Sequence, residues 1–199
     1  MEFTTVVRRR RMVRSFEQRP VPEANLRRIL DAGRRGPSAG FSQGVDFLVL
    51  RTPGEVASFW AATDEPDWPW KPADLAAGPP VIVLPLSNKQ AYLERYSRPD
   101  KAGAGMQVEE GWPVPYWDVD AAMAAMLMLL AAVDEGLGGW LFGIFHGERG
   151  LLARLGVPPG VRPIGALGFG YPAPEERRPG SSRRLQRRAL DEVAHWGRW

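Results

Sequence analysis

The sequence predicts one domain of the α+β or α/β class, with helices on both sides of a single β-sheet. Three observations lead to this prediction. The 199 residues suit one sizeable core. Segments with helical and with strand periodicity are mixed along the chain, without an internal repeat or a dividing linker. The stretch PPVIVLPL is a continuous apolar run, typical of a strand that is buried on both faces.

The individual elements are predicted from local patterns. Pro22 starts a helix in which Leu26, Ile29 and Leu30 share one face, and Thr52 precedes the start of another. The stretch after Asp118 is apolar almost all round, which predicts a central buried helix. Helices are predicted for residues 6–15, 23–35, 54–63, 88–97, 119–136 and 148–156. Strands are predicted for residues 45–50, 79–86, 139–145 and 162–171.

Composition excludes several kinds of site. A hydrophobic content of 44% and a charged content of 25% are those of an ordinary globular protein. Because the chain has no cysteine, it can form neither disulfides nor thiolate-ligated metal sites. His146 and His195 lie far apart and outside any metal-ligand spacing, so we expect no metal.

No targeting segment is predicted. The first residues lack the long apolar core of a secretory signal, and the stretch AAMAAMLMLLAAV is too short to span a bilayer. We therefore expect a soluble, cytoplasmic protein without a membrane partner.

Arginines are concentrated near the two ends of the chain. In a helix, Arg10 and Arg14 would share one face with Arg11 beside them, and this face could bind a phosphate bidentately. A second cluster in the tail consists of Arg183, Arg184, Arg187 and Arg188. The alternative for either cluster is a solvated basic surface or a nucleic-acid patch.

Common nucleotide and hydrolase motifs are missing. GALGFGY follows a predicted strand but has neither the G-x-G-x-x-G spacing nor a following helix. Neither G-x-x-x-x-G-K-[ST] nor G-x-S-x-G occurs. A Rossmann site, a P-loop and a Ser-His-Asp hydrolase site are therefore not supported.

Four stretches, taken in order, resemble the FMN-dependent nitroreductase superfamily. They are RRMVRSF, PVPEANLRRILDAGRRGPSAGFSQ, GLGGWLFGIF and PIGALGFGYPAPE. The resemblance implies a single nitroreductase-like domain over residues 1–199, of the α+β class, with a central, mainly antiparallel sheet flanked by helices. It also implies a homodimer in which the C-terminal extension, residues 172–199, wraps around the partner subunit.

The resemblance further implies where FMN binds. The N-terminal arginine motif would hold the phosphate and the flavin edge, the loop at Pro37 would reach the flavin of the other subunit, and the backbone of Gly143 would lie against flavin N5. The implied cofactor-binding residues are Arg10, Arg11, Met12, Arg14, Pro37, Ser38, Ala39, Phe41, Lys71, Phe142, Gly143, Ile144, Arg187 and Arg188. Arg183 and Arg184 are alternatives in the tail, and Lys71 is either a charge near flavin N1 and O2 or an exposed loop lysine.

Two positions depart from the family pattern. Met12 replaces a serine and Phe41 an asparagine, so a side-chain hydrogen bond to the flavin is missing. Phe41 either lines the substrate pocket or packs in the core, and we expect the core because buried phenylalanine is common.

Three other aromatic residues have two possible roles. They either stack on a planar substrate or pack at the dimer interface. They are Trp112, Tyr116 and Trp117.

The activity implied by the resemblance is that of an NAD(P)H oxidoreductase. NADH or NADPH would pass hydride to flavin N5 and leave, and a small aromatic, nitro or quinone-type acceptor would then replace it in a ping-pong cycle. No catalytic side chain is obligatory, and we expect no nucleic-acid partner. One alternative is an FMN-dependent dehydrogenase or oxidase of natural-product or peptide maturation. Another is a non-catalytic flavin-storing or basic nucleic-acid-binding protein.

Overall fold

The computed structural model of the protein describes residues 1–64, 78–174 and 185–199. Its helices are α1 (Phe3–Arg9), α2 (Glu23–Gly33), α3 (Pro53–Thr63), α4 (Lys89–Tyr96), α5 (Tyr116–Asp134) and α6 (Glu148–Arg154). Its strands are β1 (Val45–Leu50), β2 (Val81–Asn88), β3 (Gly138–Phe142), β4 (Val161–Pro163) and β5 (Ala166–Gly170). Lys71, Arg183 and Arg184 lie outside the described residues.

The five strands form one antiparallel sheet in the order β1-β2-β5-β3, with β4 also paired to β2. β2 is central because it pairs with β1 on one side and with both β4 and β5 on the other. The single strand predicted over residues 162–171 is interrupted at Gly165, whose φ is +140°. A Cβ there would lie 2.7 Å from the carbonyl oxygen of Phe142, so the break requires glycine.

Helices cover both faces of the sheet, as predicted. Val81 and Val83 of β2 pack on the face that carries α2 and α5, whereas Ile82 and Leu84 pack on the face that carries α3 and α6. This alternation explains why β2 is apolar without interruption, since neither of its faces meets water. The fold is therefore α+β, with an antiparallel sheet between two helical layers, which confirms the fold class expected from the resemblance.

α5 is the longest helix, with 19 residues, and it begins two residues before the expected cap, Asp118. By its length of 19 residues and its apolar composition, α5 could cross a membrane, although its most apolar part, AAMAAMLMLLAAV, is shorter than the whole helix. Its packing on α2 and on the sheet accounts for this composition. The burial is one-sided, because Met123 and Met126 are exposed in the single subunit.

The first helix ends at Arg9, so the prediction of a helix through residue 15 is wrong. The chain runs extended beside β3 instead: Met12 pairs in parallel with Gly139, and the Val13 amide donates to the Gly139 carbonyl at 3.0 Å. Val13 and Phe16 are buried there. This pairing and burial outweigh the helical propensity of an arginine run. Arg10 and Arg14 therefore do not share a helix face.

Candidate functional site

The arginine motif lies in the extended segment 10–16, which borders β3. Arg10, Arg11 and Arg14 are half-buried, and the Arg14 guanidinium lies 5.9 Å from the centre of the Trp140 ring. Nη1 of Arg10 is buried and has no hydrogen-bond partner among the described residues. Such a donor is costly unless an acceptor reaches it, and an anion is the acceptor that suits a guanidinium best.

Met12 holds the arginine segment to the sheet edge. Its thioether sulfur accepts a hydrogen bond from the Leu141 amide at 3.4 Å, and its side chain packs against the cores on both faces of the sheet. Leu141 and Gly139 are both on β3, so the arginines and the end of that strand are neighbours. The structure thus brings together two motifs that are more than 120 residues apart in the sequence.

The predicted backbone contact segment follows directly at the end of β3. Phe142 is buried, its ring stacking on that of Trp60 at a centroid distance of 5.4 Å, and Gly143 and Ile144 are half-buried. A Cβ on Gly143 would lie 2.6 Å from the exposed Phe145 ring, so this ring would have to move to admit a side chain there. A shallow pocket opens here, lined by Phe59, Trp60, Thr63, Phe142, Gly143, Ile144, Phe145 and His146.

The Pro37 loop lies against α4 and α5. Ser38 and Ala39 are half-buried, and Pro37 is exposed. A 3₁₀ turn over Ala39–Phe41 follows, in which Phe41 has a φ of +56°. The Phe41 side chain is 74% exposed, which contradicts the expectation of a core phenylalanine. Neither the left-handed backbone at Phe41 nor the exposure of its ring was indicated by the sequence.

The aromatic residues just before α5 and in its first turn pack inside the fold. Trp112 and Trp117 are buried and form edge-to-face contacts with Tyr92 at centroid distances of 5.9 and 6.2 Å. The Trp112 indole nitrogen donates to the Met106 carbonyl at 2.7 Å. Tyr116 is half-buried beside them. These contacts lie within one chain, so the two interpretations offered by the sequence, a substrate platform and packing at a dimer interface, both stay predictions.

The tail arginines that are described lie at the surface. Arg187 and Arg188 are exposed, and Arg188 donates to the carbonyl of Glu192, within the tail itself. Trp196 and Trp199 are almost fully exposed. The phosphate role expected for the tail arginines stays a prediction.

Two residues at the Pro37 loop were not predicted. Asp120 of α5 is 4% exposed, and its Oδ2 accepts hydrogen bonds from the Ala39 amide at 2.8 Å and the Tyr92 hydroxyl at 2.7 Å. Burial, followed by this hydrogen bond, raises the pKa of Tyr92, so its phenol stays protonated as a donor. A carboxylate within an otherwise apolar helix was the sequence signal that could have identified Asp120.

Comparison with known proteins agrees with this geometry. The family model described as "Nitroreductase family" matches residues 7–171. An NADH dehydrogenase from Thermus thermophilus is 28% identical over 193 residues, covering 88% of this chain and 89% of the relative. A protein of Methanothermobacter thermautotrophicus, classed as an NADH dehydrogenase/NAD(P)H nitroreductase, is 26% identical over 177 residues, covering 87% and 78%.

Solved structures give the same fold. A nitroreductase family protein from Clostridium difficile superposes with a TM-score of 0.73 at 19% identity, covering both chains completely. A protein from Desulfovibrio desulfuricans, classed as a nitroreductase and solved in complex with FMN, has a TM-score of 0.73 at 25% identity, covering 100% and 98% of the two chains. Since the family model spans most of the sequence and carries the motifs that meet at β3, this chain belongs to the nitroreductase family.

Proposed function

We propose that this protein binds FMN and reduces a small aromatic, nitro or quinone-type acceptor with electrons from NADH or NADPH, in a ping-pong cycle. Membership of the nitroreductase family makes the chain an oxidoreductase, the enzyme class expected from its motifs. The FMN-bound relative from D. desulfuricans supports the choice of cofactor. Bound FMN supplies the redox chemistry, with N5 as the atom that accepts and gives hydride.

The observation that carries this proposal is the buried Arg10 Nη1, which has no partner among the described residues. A phosphate oxygen would satisfy this donor. Arg11 and Arg14, in the same half-buried segment, would add further charge-assisted hydrogen bonds. The donor set therefore fits the phosphate of FMN.

The end of β3 would form the wall beside the flavin ring. Gly143 has no side chain and is half-buried, so its backbone would allow a close approach, and its amide is the donor proposed for flavin N5. Phe142 and Trp60 stack behind it and hold this backbone rigidly. The chain thus contributes position and a fixed dipole, and it needs no side-chain acid.

The complete site would require a homodimer. α1 packs on α5, and both helices expose apolar side chains that would cost free energy in water. These surfaces, together with the tail at residues 185–199, would be covered by a second copy. The exposed apolar side chains concerned are Phe3, Val7, Met123, Met126, Leu190, Val193, Trp196 and Trp199. In such a dimer the Pro37 loop and the tail arginines would reach the partner's FMN.

An absorbance spectrum of the purified protein tests this function. We expect flavin bands, their bleaching by NADH or NADPH under nitrogen, and their return when a quinone or a nitroaromatic compound is added. Initial rates measured at several concentrations of both substrates should give the parallel double-reciprocal lines of a ping-pong cycle. A colourless protein that binds no added FMN would refute the proposal, and so would a yellow protein that NADH and NADPH leave oxidised.

A further inference from the structure

The turn that follows Pro37 is unusually constrained. Phe41 and Gln43 both have positive φ angles, +56° and +53°, although neither is glycine. The Phe41 amide donates to the Ser38 carbonyl at 2.8 Å, and the Gln43 amide donates to the Ser38 hydroxyl at 2.7 Å. Residues in this backbone region carry strain that neighbouring contacts must offset, and such strain concentrates at functional sites.

α4 packs directly against this turn. Arg95 donates through Nε to the Gly40 carbonyl at 2.9 Å, and the Tyr96 ring lies so close to Gly40 that an added Cβ would be 2.7 Å from it. Gly44 is pressed against Tyr92 in the same way, with a Cβ-to-ring distance of 2.6 Å. The turn is therefore packed directly against side chains of α4.

Asp120 joins the turn to both helices. Its Oδ2 atom, on α5, accepts one hydrogen bond from the Ala39 amide of the turn and another from the Tyr92 hydroxyl of α4. Both hydrogen bonds converge on this one buried oxygen, so the turn and α4 share a single acceptor. Losing it would leave two donors unsatisfied at the point where the turn is attached.

We propose that Asp120 is a positioning residue which, through the Ala39 amide and Tyr92, holds the Ser38–Gln43 turn so that the exposed Phe41 ring forms a wall of the acceptor site. This inference rests on the proposed function, because the acceptor site is that of the flavin enzyme. Asp120 itself does not touch the acceptor. Its effect is exerted through the backbone of the turn.

The experiment compares FMN-loaded wild type with Asp120→Asn and Tyr92→Phe, both of which keep the side-chain shape. Asp118→Asn is the matched control, since Asp118 lies on the same helix but accepts its hydrogen bond, at 2.7 Å, from Ser87 of β2 and not from the turn or from Tyr92. We expect Asp120→Asn to raise the KM for a quinone acceptor about tenfold, with kcat unchanged and a smaller rise for Tyr92→Phe. Backbone amides of residues 39–43 should exchange faster in Asp120→Asn than in Asp118→Asn.

A double-mutant cycle with Phe41→Ala separates positioning from general stability. If Asp120 acts through Phe41, the double variant should have the KM of Phe41→Ala alone. Additive effects would overturn the inference, as would an Asp120→Asn protein that only melts earlier and keeps the wild-type KM and amide exchange. If the wild type neither holds FMN nor oxidises NADH or NADPH, the proposed function fails, whereas exchange in the apoprotein still reports whether Asp120 anchors the turn.

Discussion

The backbone amide of Leu141 donates a hydrogen bond to the thioether sulfur of Met12, 3.4 Å away. This contact joins the arginine segment to the strand that ends at Gly143. The family pattern has a serine at the position of Met12, so the sulfur and the longer side chain depart from that pattern. Met12 thereby contributes packing where the family has a hydroxyl group.

Met12→Ser should therefore change stability and cofactor affinity in opposite directions. We expect the apoprotein to lose about 1–2 kcal/mol of unfolding free energy, because side-chain packing is removed. FMN should bind more tightly, because the hydroxyl is returned to the flavin edge. Denaturant melts and fluorescence titrations measure the two effects. Met12→Leu, which keeps the volume, is the control, and equal FMN affinities of the two variants would contradict the prediction.

Arg10→Met should weaken FMN binding by about tenfold or more, since a charge-assisted hydrogen bond contributes about 1.5–3 kcal/mol. The apoprotein should melt no earlier than wild type, because Met keeps the apolar stem and removes a buried donor without an acceptor. Arg8→Met, at an exposed position of α1, should leave FMN affinity unchanged. If the Arg10→Met protein keeps full FMN occupancy after dilution, other residues bind the phosphate.

Phe41→Asn tests the second departure from the family. The apoprotein should keep its melting temperature, since Phe41 is 74% exposed and Asn tolerates a positive φ. A hydrogen bond made only to the reduced flavin would raise its potential by several tens of millivolts, at about 30 mV per 1.4 kcal/mol. Redox titrations of the Phe41→Asn and Phe41→Ala proteins measure this potential. Equal flavin potentials in the two proteins would place the flavin-edge contact at another residue.

Met126→Lys should break the proposed dimer, because Met126 is 46% exposed on α5 and a charge there would be buried by a second copy. Light scattering should give the mass of two subunits for wild type and of one for the variant, which should also lose FMN. Ala153→Lys on α6, exposed on the opposite helical layer, should remain a dimer. A yellow wild-type monomer would refute an interfacial site.

The ion pair between α2 and the end of α5 should make stability depend on pH. Arg28 binds Glu135 bidentately at 2.6 and 2.7 Å and lowers the pKa of that carboxyl, with a further hydrogen bond from Asn25. Because the pKa of Glu135 is lower in the folded state, the ion pair stabilises the protein at pH values above the unfolded-state pKa of about 4.3. This stabilisation is lost as the pH falls through the folded-state pKa. Arg28→Met should thus melt earlier than wild type at neutral pH, and the difference should disappear in acid. A difference that persists in acid would assign the effect to packing.

Local patterns predicted much of this protein. The uninterrupted apolar run became the central strand β2 because it is buried on both faces, and the α2 periodicity became a helix packed on α5. The order of four motifs indicated the nitroreductase family, which the family model confirms. These features depend on neighbours in the sequence, which is why the sequence alone determined them.

Contacts between distant residues decided the rest. Segment 10–16 is a strand-like edge because β3 offers it a partner more than 120 residues away, and no periodicity encodes that pairing. Phe41 is exposed in a turn whose Gly40 packs on the Tyr96 ring, and Asp120 has two hydrogen-bond donors because α5 lies beside both Tyr92 of α4 and Ala39. Side chains acquired these roles when the tertiary structure brought their partners within hydrogen-bonding distance, and such proximity is a property of the fold rather than of any stretch of sequence.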